Sequence, residues 1–379
     1  MWPSFWNEIE IKSQYHNGDR DFAHIMQMLA FFLDAVRGAP FSFTFHMVEN
    51  TGEDRSLAPD ILWRLSKHSE QWENVSMRLQ ESEFILLHRV RNRLQTLQKL
   101  ELILFDDISD GLLPGDVFAS APLLTHIELR CFSDAVRRFN WKLLTSIHLH
   151  STRNPEMIIS ALRQTISLEK LTIDENFYPD LHLKDTGIIH LPSLTYLSVQ
   201  GVVLLTVLET PVLKSLEISF RSNYHTHRSE FALEETRRTI SFILRSRCAL
   251  SSFSAKRIGS TALKEILSYM PDIEELTLLD VRCLAKLFEW LSGPESSANA
   301  VEPREMRLQC LNELTIFPSS DDDETEELEA LQNMISRRPI GTSVLGPKVL
   351  HMKTSNISNN SALRHLKSLC WDKGVLFFE

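Results

Sequence analysis

One short pattern returns along this chain and limits what it can fold into: an apolar residue, two arbitrary residues, an apolar residue, one arbitrary residue and a third apolar residue. It occupies 97–102, 124–129, 144–149, 168–173, 194–199, 213–218, 273–278 and 311–316, with a degraded copy at 250–255. The tail of each copy alternates apolar and polar, as a strand with one buried face must. The leading apolar residue falls where the chain turns into that strand. A single unit of this kind cannot bury its own apolar face, whereas stacked units bury one another's.

The spacing supports a stack. The central apolar positions run Leu100, Ile127, Ile147, Leu171, Leu197, Leu216, Phe253, Leu276 and Leu314. Their mean separation is about 27 residues, inside the roughly 20–29 of leucine-rich repeats. The intervals are uneven, with the longest before Phe253 and Leu314. Helical connections are expected at 155–162, where Pro155 suits a first helical position, and at 260–267, where Ser260 and Thr261 look like N-cap residues and Pro271 follows as a stop. Strand then helix, repeated, predicts an α/β fold: an irregular leucine-rich-repeat solenoid, or horseshoe, with parallel strands on the concave face and helices on the convex face. Regular repeats place Asn or Cys three residues after the last strand apolar. Here those positions are Phe105, Phe132, Thr152, Asn176, Val202, Arg221, Val281 and Ser319, and only Asn176 fits.

Residues 1–90 precede the clear repeats and read as an N-terminal capping region with atypical repeats: a helix over 21–36 ended by Gly38, a strand over 41–45, a helix over 58–68 and a strand phrase over 72–79. Residues 91–379 read as the solenoid proper, with insertions near 221–247 and 292–310 and an acidic segment at 321–329. A last strand is expected near 375–378.

Composition narrows the function. The net charge of −10 owes seven acids to the acidic segment, so no basic footprint for nucleic acid is expected. The acidic run reads as a solvated loop, followed by an exposed helix carrying Leu328, Leu331 and Ile335. Five widely spaced cysteines without a Cys-x-x-Cys argue against a disulfide framework and for the cytosol or nucleus. Cys310, beside a strand phrase, reads as a core thiol. No run approaches the roughly 18 apolar residues of a membrane span, and the N-terminus lacks a signal-peptide pattern.

No phosphate-cradling glycine loop, nucleophile elbow or His-Glu-x-x-His is present, so no catalytic residue is assigned and the chain is read as a non-enzyme without cofactor. His148-x-His150 and His225-x-His227 each put two imidazoles on one side of an extended segment. A zinc site needs a third and usually a fourth ligand, and the sequence shows no partner cluster, so no metal site is expected. The polar positions inside the strand phrases should point away from the core. His126, Glu128, Arg130, His148, His150, Lys170, Asp174, Tyr196 and Gln200 are therefore the candidate partner-binding residues of the concave face.

Three further phrases carry a family resemblance. Phe5-Trp6-Asn7-Glu8-Ile9-Glu10-Ile11, the stretch Leu65-Ser66-Lys67-His68-Ser69-Glu70-Gln71-Trp72, and the pair Leu191-Pro192-Ser193-Leu194 and Thr210-Pro211-Val212-Leu213 resemble the repeat region of fungal, basidiomycete-type F-box proteins. The F-box itself, a helical module of about 45 residues, would precede the first of these phrases and is absent from this sequence. The resemblance implies the substrate-binding arm of an F-box ubiquitin-ligase adaptor, holding a protein substrate or partner, with Skp1 as a partner only if an F-box lies upstream. The alternative is a leucine-rich-repeat scaffold or regulator unrelated to ubiquitination.

Overall fold

The computed structural model describes residues 7–12, 18–36, 38–46, 57–104, 116–130, 139–150, 155–174, 183, 186–220, 229–292, 308, 310–318, 324–337, 347–352 and 361–378. The chain forms two compact units, Met1–Glu175 and Asn176–Glu379.

In the N-terminal unit every strand phrase is a strand. In chain order they are β1 (Glu8–Lys12), β2 (Phe41–His46), β3 (Trp72–Leu79), β4 (Lys99–Leu104), β5 (His126–Arg130), β6 (Ser146–His150) and β7 (Lys170–Asp174). Each pairs in parallel with the next. The helices α1 (Gly18–Val36), α2 (Leu57–Lys67), α3 (Glu81–Phe84) and α4 (Pro155–Leu162) lie in the connections. Gly38 has φ +85°, the left-handed conformation that closes a helix and that glycine adopts without a Cβ penalty. The expected atypical repeats thus continue the parallel order of the clear ones, and β1 extends it by one strand.

Register explains the core. Phe43, Val75, Leu100, Ile127, Ile147 and Leu171 stand in one row across the strands, and Phe45, Met77, Leu102, Leu129, Leu149 and Ile173 in the next. All twelve are buried. The leading apolars Leu97, Leu124, Leu144 and Leu168 are buried as well, which is why the phrase needs its first leucine. Trp72 anchors the start of β3, its ring edge-to-face with Phe43 at 5.0 Å between centroids.

The C-terminal unit repeats the scheme. β9 (Tyr196–Gln200), β11 (Ser215–Ser219), β12 (Ser252–Lys256), β13 (Glu275–Val281), β14 (Glu313–Pro318), β15 (Val349–Met352) and β16 (Leu376–Phe378) pair in parallel in that order. Its helices are α5 (Ser229–Ser246), α6 (Ser260–Leu267), α7 (Leu284–Leu291), α8 (Glu324–Arg337) and α9 (Ser361–Asp372), each packed on the next. Two short strands, β8 (Ile189–His190) and β10 (Leu208–Glu209), form a separate parallel pair. They immediately precede Leu191-Pro192 and Thr210-Pro211, so each proline phrase joins a short strand to the long strand that follows it, β9 or β11.

Consecutive repeats are tied by a backbone device. At most strand entrances two successive N–H groups donate to one carbonyl of the preceding repeat. Thr145 and Ser146 donate to Thr125, Glu169 and Lys170 to Thr145, and Ser251 and Ser252 to Lys214, at 2.8–3.1 Å. This ladder lies at the start of the strands. Of the eight positions after the strands, Val202 and Val281 are described, and both are buried apolars rather than hydrogen-bonding ladder residues.

Three expectations need correction. Gly259 (φ −82°, ψ 149°) is the N-cap of α6, and Ser260 is inside the helix and buried. Cys310 is exposed, because the buried position of that turn belongs to Leu311. Cys370 is the core thiol, and burial pushes it up to about 11. Finally, α8 is not an exposed helix: Leu328, Leu331, Met334 and Ile335 are buried, and so is Glu327. The reason lies in α7. Its N-cap Cys283 is left-handed (φ 56°) and its side chain does not cap the helix. Glu327 supplies the acceptor instead, its Oε1 taking the Leu284 N–H at 3.3 Å. A carboxylate there also faces the positive end of α7. Glu327→Ala is expected to cost about 1–3 kcal/mol in chemical denaturation, whereas Glu329→Ala, at an exposed position two residues on, should stay within about 0.5 kcal/mol.

Candidate functional site

Because side chains alternate along a strand, the residues between the buried apolars share the other side of the sheet. In the N-terminal unit the register arranges them in three rows. The first holds Lys99, His126, Ser146 and Lys170. The second runs Glu10, Thr44, Ser76, Glu101, Glu128, His148, Thr172. The third runs Lys12, His46, Arg78, Ile103, Arg130, His150, Asp174. The face is therefore striped, with acidic groups concentrated in the second row and basic groups in the first and third. His126, Arg130 and Lys170 are exposed, while Glu128, His148, His150 and Asp174 are half-buried. His46 titrates below the usual histidine range, first because burial penalises its cation and then because Arg78 stands beside it.

Within this face the structure brings four of the nine candidates into mutual contact. Glu128 lies directly opposite His148, and His150 directly opposite Asp174. The Oδ2 of Asp174 is 2.8 Å from His148 Nε2 and 2.9 Å from His150 Nδ1. The Oε1 of Glu128 is 2.9 Å from His150 Nε2 and 3.6 Å from His148 Nδ1. The two imidazoles lie 3.8 Å apart between centroids, at 45°. Each carboxylate thus spans both rings. One donor atom each from Glu128, His148 and His150 lie within 4.8 Å of one another, a spacing that a metal ion can fill.

The His-x-His spacing is legible in the sequence, but its carboxylate partners are not local to it. They come from the neighbouring repeats. Superposing the strand phrases on Ile127, Ile147 and Leu171 would have put Glu128 beside His148 and Asp174 beside His150. The second pair, His225 and His227, lies outside the described residues.

Tyr196 and Gln200 belong to the C-terminal unit and have different neighbours. The Tyr196 hydroxyl donates to Glu217 Oε2 at 2.8 Å, and Gln200 is opposite Ser219. That face carries small hydroxyls at Ser215, Ser219, Ser252 and Ser254. At its far strands it turns aromatic, with His351 stacked on Phe378 at 4.9 Å. No described helix is long and apolar enough to cross a membrane. No family model matches the chain, and no curated protein matches it.

Proposed function

We propose that this chain is a non-enzymatic protein-recognition module of leucine-rich-repeat type, and that it works as the substrate-holding arm of an F-box ubiquitin-ligase adaptor. The observation that carries the recognition reading is the three-row polar face of the N-terminal unit. Seven parallel strands spaced about 4.8 Å apart, with three outward side chains each, present roughly 400 Å² in plan. A stable interface needs about 800 Å² per partner. The acidic row flanked by basic ones gives a complementary partner a defined register, since charge complementarity sets specificity and on-rate.

Skp1 is a partner on this reading only if an F-box precedes the sequence given. The ligase reading rests on the phrases quoted from the sequence. It is tested by asking whether a chain extended upstream captures Skp1.

The recognition reading has its own test. Lys99 and Arg130 are exposed and lie in different rows. Lys99→Glu with Arg130→Glu should weaken partner capture at least tenfold, about 1.4 kcal/mol, and leave the thermal midpoint unchanged. Full capture by this double variant would remove the polar face from the reading.

A further inference from the structure

We propose that Glu128, His148 and His150 form a binding site for one divalent cation of the zinc class, with Asp174 holding both imidazoles from their other edge. The inference stands apart from partner recognition and needs no partner to test.

The first argument is a count of protons. Four nitrogen–oxygen contacts link the two imidazoles to the two carboxylates: three at 2.8–2.9 Å and one at 3.6 Å. A neutral imidazole carries one N–H and one lone pair. Two neutral rings therefore satisfy two contacts and leave two in which a nitrogen lone pair faces an oxygen lone pair. Full satisfaction by protons requires both rings to be cationic, with their centroids 3.8 Å apart. One metal ion resolves this differently. It takes the lone pairs of His148 Nδ1 and His150 Nε2 with an oxygen of Glu128, while the N–H groups at His148 Nε2 and His150 Nδ1 donate to Asp174, and both rings stay neutral.

The second argument is charge. The side chains paired across the strands with these four are Glu101, Thr172 and Arg130. Three carboxylates (Glu101, Glu128 and Asp174) stand against the single guanidinium of Arg130. With neutral histidines the directly paired groups are net negative, which favours a cation between them. Glu101 and Glu128 also face each other directly, a like-charge pairing that destabilises a sheet unless a cation lies nearby.

The third argument is the donor set. Two imidazole nitrogens with carboxylate oxygens suit zinc and its first-row neighbours. Calcium and magnesium take oxygen ligands instead. Tetrahedral zinc with bonds near 2.1 Å separates its donors by roughly 3.4 Å. The 3.6 Å contact already has this spacing, and the 2.9 Å contact of Glu128 with His150 opens to it through side-chain rotation. All four residues are half-buried on three consecutive strands, so the backbone fixes their relative positions before the ion arrives.

Titration of the chelator-stripped full chain with zinc chloride, followed by calorimetry, tests the assignment. One zinc per chain is expected. His148→Gln with His150→Gln should weaken it at least about 100-fold, because losing mere outer-shell support already costs 10–100-fold. Asp174→Asn and Glu128→Gln, each made singly, should weaken it by lesser factors, and they stand in if the double variant does not keep the circular dichroism spectrum of the parent chain. His351→Gln, a histidine of the C-terminal unit, should change nothing. Equimolar calcium or magnesium should leave zinc bound. The proposal is overturned by no uptake at micromolar zinc, by uptake equal in parent and folded variants, or by displacement with calcium.

Discussion

Trp72→Ala is expected to destabilise the N-terminal unit by about 3–5 kcal/mol, the cost of truncating a large core aromatic. Trp72 is fully buried, and its ring meets Phe43 edge-to-face at 5.0 Å. Phe43 in turn touches Phe41, which packs edge-to-face on Phe32 of α1 at 5.6 Å. The indole N–H donates to the Leu65 carbonyl in α2 at 3.1 Å, so one side chain binds strand β3 to both its sheet neighbour and its helix. Truncation leaves a cavity where these elements meet. The Leu65 carbonyl keeps its bond from the His68 N–H at 2.9 Å, so the loss is one of packing rather than of an orphaned acceptor. Trp72→Phe, which keeps a ring, should cost far less, about 1–2 kcal/mol. Hydrogen exchange at the amides of β2 to β4 measures both. A cost below about 1 kcal/mol for Trp72→Ala would mean that β3 is not a core strand.

Leu276→Asp should disrupt the C-terminal unit by more than about 4 kcal/mol, while Thr277→Asp next to it stays within about 0.5 kcal/mol. Leu276 stands in register between Phe253 and Leu314, and all three are buried. A carboxylate there loses its water and gains no partner. Burial raises the pKa of the introduced carboxyl above its unfolded value, so the charge penalty acts at neutral pH and is relieved as the pH falls into the acid range. Thr277 points to the opposite side and is partly solvated. Urea unfolding of the two variants reads the difference. Equal costs would contradict the alternation on which every strand assignment depends.

The strand phrases were legible because each carries its evidence locally: an apolar alternation and a leading leucine. Nine of nine phrase sites became strands for that reason, and the α/β parallel order followed from stacking them. What escaped notice depended on contacts between repeats. Glu327 looked like one acid in a solvated run, because nothing near it reveals that α7 begins on Cys283 without a capping side chain. The helix α5 was hidden by polar residues such as Glu234, Glu235, Arg237 and Arg238, which weaken its apolar periodicity. Ser260 looked like a cap because it is a good cap in isolation, yet packing drew it inside the helix. The carboxylate partners of His148 and His150 lie twenty or more positions away in each direction, and only the register of β5, β6 and β7 brings them together.

The polar face of the N-terminal unit as the partner-binding surface is tested most directly by site-specific photo-crosslinking in cells. A photoreactive residue replaces Ser146 on the face, between His126 and Lys170 in the first row, or Ser160, which is exposed on α4. Covalent adducts to a discrete protein partner are expected from position 146 and not from position 160. Adducts from position 160 alone, or equally from both, would contradict the assignment of recognition to the polar face.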